Sequence, residues 1–159
     1  CEATTSVEQL REALAAYSHV PVYATRFLPR HLRRLGSEEA LPLDALGKSP
    51  LGSFCGIGNP DGFRRTLTHL HAEVKISRDY PDHFWFRKED LVELRKLGQG
   101  SGVAAWITTE KDAMRLMDEE LWRHLGDVYY PEMEVEFLGD EAGFFGMLDP
   151  YSARGEDVR

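Results

Sequence analysis

Acid–base chemistry needs a group that titrates near neutrality and a second group that orients it. The stretch Asp79-Tyr80-Pro81-Asp82-His83-Phe84-Trp85-Phe86 offers both. Histidine titrates close to physiological pH, so His83 is the natural general base or proton acceptor. Asp82 or Asp79 would orient the ring or stabilise its charged form. The plainer alternative is a surface turn with aromatic rings packed beneath it. Two more stretches have the makings of strand-end loops. In Gly56-Ile57-Gly58-Asn59-Pro60, an apolar run ends in glycines, Asn59 is a helix N-cap and Pro60 takes the first helical position. Such a turn aims backbone N–H groups past the strand's carboxyl end, although glycines there can also serve the turn alone. In Thr108-Thr109-Glu110-Lys111-Asp112, both threonines and Lys111 have groups suited to phosphate. Thr109 as N-cap with Asp112 three residues on explains the threonine without any ligand.

Two other chemistries are set aside. Gly47-Lys48-Ser49 looks like the tail of a phosphate-binding loop, but Pro42 stands where the leading glycine belongs. Pro50 and a strand then follow where that motif opens a helix. The cysteines and histidines lack zinc-ligand spacing, so no metal site is expected.

The elements that must position these loops are read from periodicity. Ser6 and Gln9 suggest a capping box ahead of a helix over Val7–Tyr17, and Val20–Phe27 reads as a strand. Leu28, Leu32 and Leu35 fall at helical spacing beside Arg26, Arg30, Arg33 and Arg34. That basic segment suits anionic head groups or phosphates, or is simply a solvated helix face. Strands are expected at Leu51–Gly56, Glu73–Ser77 and Val103–Ile107, with helices at Pro60–His71, Lys88–Leu97 and Thr109–Leu116. A short helix over Leu121–Leu125 follows, then strand-like Val128–Tyr130 and Met133–Leu138, interrupted by Pro131. This alternation predicts an α/β fold: a mainly parallel sheet with helices on both faces, a Rossmann-like three-layer arrangement. Residues 1–50 would form an N-terminal helix, strand and basic connecting segment, 51–140 the α/β lobe, and 141–159 a flexible tail. All three loops then lie at the carboxyl ends of strands, where ligand chemistry collects in such sheets.

Size and composition bound the rest. The chain has 159 residues, 42% of them hydrophobic, which suffices for one domain with a real core. A net charge of −8 disfavours generic nucleic-acid binding. The two cysteines, Cys1 and Cys55, suggest no disulfide framework and a reducing compartment by default. No apolar run approaches the roughly 20 residues of a membrane helix, and residues 1–20 show no signal-peptide pattern. Cys1 is an unusual first residue, so the chain is expected to be cut from a longer one.

Taken in order and at their spacing, Gly56-Ile57-Gly58-Asn59-Pro60 with Phe63, Tyr80-Pro81-Asp82-His83, and Thr108-Thr109-Glu110-Lys111-Asp112-Ala113 resemble the C-terminal part of the tetraacyldisaccharide 4'-kinases of Gram-negative bacteria. The resemblance covers about Pro21 to Leu138. It implies transfer of the ATP γ-phosphate to the 4'-hydroxyl of a lipid A disaccharide at the cytoplasmic side of the inner membrane, with peripheral attachment to an anionic surface. It also implies that ATP and Mg²⁺ are held mainly by an N-terminal P-loop lobe, the expected partner of these residues. His83 would be the histidine that works with an aspartate of that lobe, with Asp82 beside it. Phe84 stands where the family has a second histidine. Gly56, Gly58, Asn59, Thr109, Glu110, Lys111 and Asp112 would line the cleft. Without a P-loop, these residues alone are expected to be inactive. The other reading is a stand-alone α/β module that binds a ligand or partner without catalysis.

Overall fold

The uncharged run Leu51-Gly52-Ser53-Phe54-Cys55 is buried at every position and lies inside the sheet. This is how a strand covered on both faces reads. The structure, a computed structural model, describes residues 6–152 except Ser18, Lys48 and Met117. Its elements in chain order are α1 (Val7–Ala15), β1 (Thr25–Arg34), β2 (Ala40–Leu41), β3 (Leu51–Cys55), α2 (Pro60–His69), β4 (Val74–Asp79), α3 (Lys88–Ser101), β5 (Ala105–Ile107), α4 (Glu110–Arg115), α5 (Glu119–Trp122), β6 (Val128–Phe137) and α6 (Glu141–Ser152). The six strands are ordered β2-β1-β6-β5-β3-β4. Pairs β3–β4, β3–β5 and β5–β6 are parallel, and β1–β2 is antiparallel. The expected α/β architecture is therefore present, with the expected strands parallel to one another.

The chain divides into two compact units, Pro29–Glu134 and a second formed by Cys1–Leu28 with Val135–Arg159. The expected boundary at residue 50 does not hold, because β1 and β2 join the same sheet as β3. In the unit Pro29–Glu134, side chains alternate across β3. Leu51 and Cys55 face a core with Phe63 and Leu67 of α2, while Phe54 faces one with Leu91 and Leu94 of α3 and Ala113 of α4. Helices thus cover both faces. Trp106 of β5 fills the α3 side so closely that a Cβ on Gly52 would come 2.5 Å from its ring, and one on Gly98 2.9 Å.

Two stretches differ from expectation. Residues 28–34 form strand, not helix. Pro29 removes the N–H that a helix interior would need, and the arginines find acids across the sheet instead. Arg26 pairs with Glu136, Arg30 with Glu134, Arg33 with Glu132 at 3.1 Å and Arg34 with Asp127 at 2.6 Å. Partners retreat along β6 as they advance along β1, so the two strands run antiparallel. The Arg33 hydrogen bond holds the Glu132 carboxyl below its usual range. The second difference is that Pro131 does not interrupt β6. The carbonyl of Tyr129 accepts from Thr108 N–H, so Tyr129, Pro131 and Met133 turn their backbone groups to the β5 side. Since β5 ends at Ile107, the N–H that Pro131 lacks has no strand to pair with.

In the other unit, Ser6 and Gln9 form the expected capping box of α1. A helix, not a flexible tail, occupies Glu141–Ser152. Asp140 Oδ1 accepts from Gly143 N–H at 2.9 Å, and Phe144 packs edge-on against Tyr23 with centroids 5.4 Å apart. Residues 153–159, and Cys1, lie outside the described residues.

Candidate functional site

Parallel pairing brings three carboxyl ends to one side of the sheet: Gly56 after β3, the loop 80–87 after β4, and Thr108 after β5. Each is fixed from below. Thr108 is fully buried and donates from Oγ1 to the Phe54 carbonyl at 2.8 Å. Tyr80 stacks on Phe84 at 4.6 Å, and both rings meet Phe86 edge-on, which anchors the loop. Phe84, where the resemblance implied a second histidine, is thus part of the packing. Between these inward rings, Trp85 is exposed.

Thr109 caps α4 by accepting from Asp112 N–H at 3.1 Å. The Asp112 carboxylate has no exposed surface, and its partners come from two strand ends. Oδ2 accepts from Gly56 N–H at 2.9 Å and from Thr109 Oγ1 at 2.7 Å. Oδ1 accepts from Arg115 Nη1 at 3.0 Å. Arg115 also donates to the Gly56 carbonyl at 3.2 Å, and its Nη2 lies 3.2 Å from His83 Nδ1. His83 has φ +60°, a left-handed backbone uncommon outside glycine. Its own N–H holds that turn, donating to Asp82 Oδ1 at 2.9 Å and to the Gly56 carbonyl at 3.1 Å. The imidazole is 70% exposed, with Nε2 3.7 Å from Asp82 Oδ2. Lys111 Nζ stands 3.9 Å from Asp82 Oδ1. The result is an exposed imidazole standing on a buried, fully hydrogen-bonded support.

The structure gathers His83, Asp82, Gly56, Thr109, Lys111 and Asp112, and Gly58 lies against Asp82. The other expected site residues have different attachments. Asn59 caps α2 by accepting from Gly62 N–H at 3.0 Å. Glu110 turns to β6, where its carboxylate accepts from Met133 N–H at 3.0 Å. Asp79, considered as an orienter of His83, instead pairs with Arg64 and accepts from the Cys55 thiol at 3.7 Å. Burial first, then Asp79 and Asp112, push that thiol up to about 12. Arg115 is the residue sequence reasoning missed. The available signal was its place three residues after Asp112, on the same face of a short helix.

The turn at Gly56–Asn59 does not fit a nucleotide's phosphates. Its Gly56 N–H already bonds Asp112, and a Cβ on Gly58 would stand 3.2 Å from the Asp82 carboxylate, so acid already occupies the turn. Among the described residues, no three His, Cys, Asp or Glu side chains gather as a metal-binding group, and no helix is long and apolar enough to cross a membrane.

Residues 2–151 match the family model of LpxK, tetraacyldisaccharide-1-P 4'-kinase. The tetraacyldisaccharide 4'-kinase of Anaeromyxobacter dehalogenans (strain 2CP-C) is 40% identical over 123 residues, covering 76% of this chain and 32% of that protein. That of Chelativorans sp. (strain BNC1) is 32% identical over 77% of this chain and 32% of its own length. A crystal structure of LpxK from Aquifex aeolicus in complex with ATP superposes with a TM-score of 0.51 at 23% identity, over 84% of this chain and 37% of that one, which shows a shared fold. The chain thus spans a third or less of the length of the curated relatives it matches here.

Proposed function

This chain belongs to the tetraacyldisaccharide 4'-kinase family, and we propose that it is the C-terminal lobe of such a kinase. The full enzyme would transfer the ATP γ-phosphate to the 4'-hydroxyl of tetraacyldisaccharide 1-phosphate, a step in lipid A synthesis at the cytoplasmic face of a Gram-negative inner membrane. Phosphoryl transfer needs a phosphate cradle, Mg²⁺ and a positioned nucleophile. The turn at Gly56–Asn59 does not suit phosphates, so on this reading ATP and Mg²⁺ are held by a P-loop lobe outside these residues, and the 159-residue chain alone has no kinase activity. This lobe supplies one wall of the cleft and the acid–base group nearest the transferred proton, His83. Asp82 fixes the His83 backbone, and Lys111 stands over Asp82. The four arginines of β1 are matched by acids, three of them on β6 and the fourth, Asp127, just before it, so contact with an anionic membrane is not assigned to them.

The observation that carries this reading is the convergence of three strand-end loops on one exposed imidazole, whose supporting groups are buried and hydrogen-bonded. In the full-length enzyme, His83→Ala should lower kcat by about 10²–10⁴-fold, the worth of one positioned acid–base group. KM for ATP should change little, and Asp82→Asn should cost less than His83→Ala. A folded His83→Ala enzyme, checked by circular dichroism, that keeps near-normal kcat would overturn the assignment and favour the non-catalytic binding module.

A further inference from the structure

The chain has three tryptophans, and two are packed: Trp106 is buried and Trp122 lies against the same core. Trp85 is 75% exposed. Among the described residues it has no hydrogen bond and no ring contact. The loop that carries it is nevertheless firmly held. Phe84 and Phe86 meet edge-on, Tyr80 packs against both, and the His83 N–H bonds the Gly56 carbonyl. From His83 to Arg87 exposure alternates, with residues 83, 85 and 87 outward and 84 and 86 inward. An extended chain alternates its side chains in this way, and neighbours on one side stand about 6–7 Å apart. The indole therefore projects from a fixed base, between His83 and Arg87 on the open side of the loop. These surroundings narrow what it meets. A protein partner or a bilayer covers a contiguous apolar patch, and His83 and Arg87 interrupt any such patch on this loop. Asp82 and Lys111 add two more charged groups beside His83. A single indole flanked by hydrogen-bonding side chains suits a ligand with an apolar face and a polar rim. A pyranose is such a ligand, with C–H groups on its face and hydroxyls around its edge. Because the backbone beneath the indole is pinned, little ordering is lost when that ligand seats.

We propose that Trp85 is a binding residue for the acceptor: a sugar ring of the disaccharide stacks on its indole, with His83 and Arg87 at the ring's edge. This rests on the reading of the chain as a kinase lobe whose strand-end loops wall the acceptor cleft, and not on which group takes the proton. Burying a large apolar side chain in full is worth roughly 10–150-fold in a binding constant. Stacking covers one face only, so its loss should weaken acceptor binding about 10-fold. The stack is equally present before and during phosphoryl transfer, so the loss falls on KM and not on kcat.

The test uses the full-length enzyme with tetraacyldisaccharide 1-phosphate dispersed in detergent micelles. Trp85→Ala should raise KM for the lipid about 10-fold and leave kcat and KM for ATP unchanged. Trp85→Phe, which keeps an aromatic face, should stay within about 3-fold of wild type. Sedimentation with phosphatidylglycerol vesicles that contain no acceptor should be equal for wild type and Trp85→Ala, and so should Tm. An unchanged KM for the lipid in Trp85→Ala overturns the proposal, as does an equal loss in Trp85→Phe and Trp85→Ala. Weaker vesicle binding by Trp85→Ala overturns it in favour of a bilayer contact. A fall in Tm together with kcat overturns it in favour of packing against the P-loop lobe. The two readings fail distinguishably. A full-length wild-type enzyme that does not phosphorylate the lipid removes the kinase reading and the stacking with it, whereas an active enzyme whose KM ignores Trp85 removes the stacking alone.

Discussion

Replacing Asp112 by alanine removes the group on which the site is built, and the cost follows from its partners. The change leaves Gly56 N–H, the Thr109 hydroxyl and the Arg115 guanidinium without the carboxylate that each now bonds. Breaking a buried ion pair by removing one partner costs about 3–5 kcal/mol. Arg115 keeps the Gly56 carbonyl and a little solvent access, which places this case at the lower end, about 3 kcal/mol. For a chain of this size that is a fall of about 6–12 °C in Tm. It is also a large share of the roughly 5–15 kcal/mol by which domains are stable. Asp112→Asn should cost less, because its amide oxygen still accepts from Gly56 N–H. The assay is urea unfolding followed by far-UV circular dichroism, reading the midpoint at unchanged m-value. A loss below about 1 kcal/mol for Asp112→Ala, the range of ordinary surface changes, would refute the argument that this carboxylate ties the strand ends together.

Gly52→Ala should destabilise by about 1–3 kcal/mol through overpacking, since its Cβ would stand 2.5 Å from Trp106; Gly100→Ala, in the last turn of α3 with nothing within 4 Å, should instead stabilise by about 0.4–1 kcal/mol. Equal shifts of the urea midpoint in the two variants would contradict this. In a Cys1→Ser background, Cys55 should stay unreactive to a disulfide reagent at pH 8 in the native chain and react once unfolded, because its thiol titrates near 12 against an ordinary 9.0. The folded pKa is the raised one, so the folded state keeps a proton that the unfolded state gives up. Stability is therefore unaffected by this group below pH 9.0 and declines as pH rises from there toward 12. Cys55→Ser should flatten that alkaline decline, and an unchanged decline would contradict the assignment.

The parallel sheet was legible because its signals are local. Apolar runs at Leu51–Cys55 and Ala105–Ile107 are each followed by an N-cap residue, Asn59 or Thr109, and both caps form as read. The loops carrying His83, Gly56 and Thr109 were therefore placed correctly at strand ends. What escaped notice depends on residues far apart in sequence. The arginines of β1 read as a helix face because their leucines happen to lie at helical spacing. The correcting signal, acids alternating at Glu132, Glu134 and Glu136, lies about a hundred residues away. Pro131 looked like a breaker because its harmlessness depends on where β5 stops. Arg115 looked like an ordinary helix-surface cation, since only the fold reveals that Gly56 and His83 stand above it. Glu110 was read with its neighbours as cleft-lining, but a helix turns successive side chains in different directions, and Glu110 points back to β6.

That last contact bears on how the protein behaves in a crowd of its own copies. Beyond Ile107, β6 has no β5 beside it, and a bare stretch of strand is a template on which another chain can pair and aggregate. The backbone groups at Pro131 and Met133 face this opening. Proline offers no N–H there, and the Glu110 carboxylate already takes that of Met133. A strand pairing here would find no N–H at Pro131, whose ring is buried, and a negative charge already on that of Met133. The helix that presents Asp112 and Arg115 to the site thus also guards the sheet, through its first residue, against self-association.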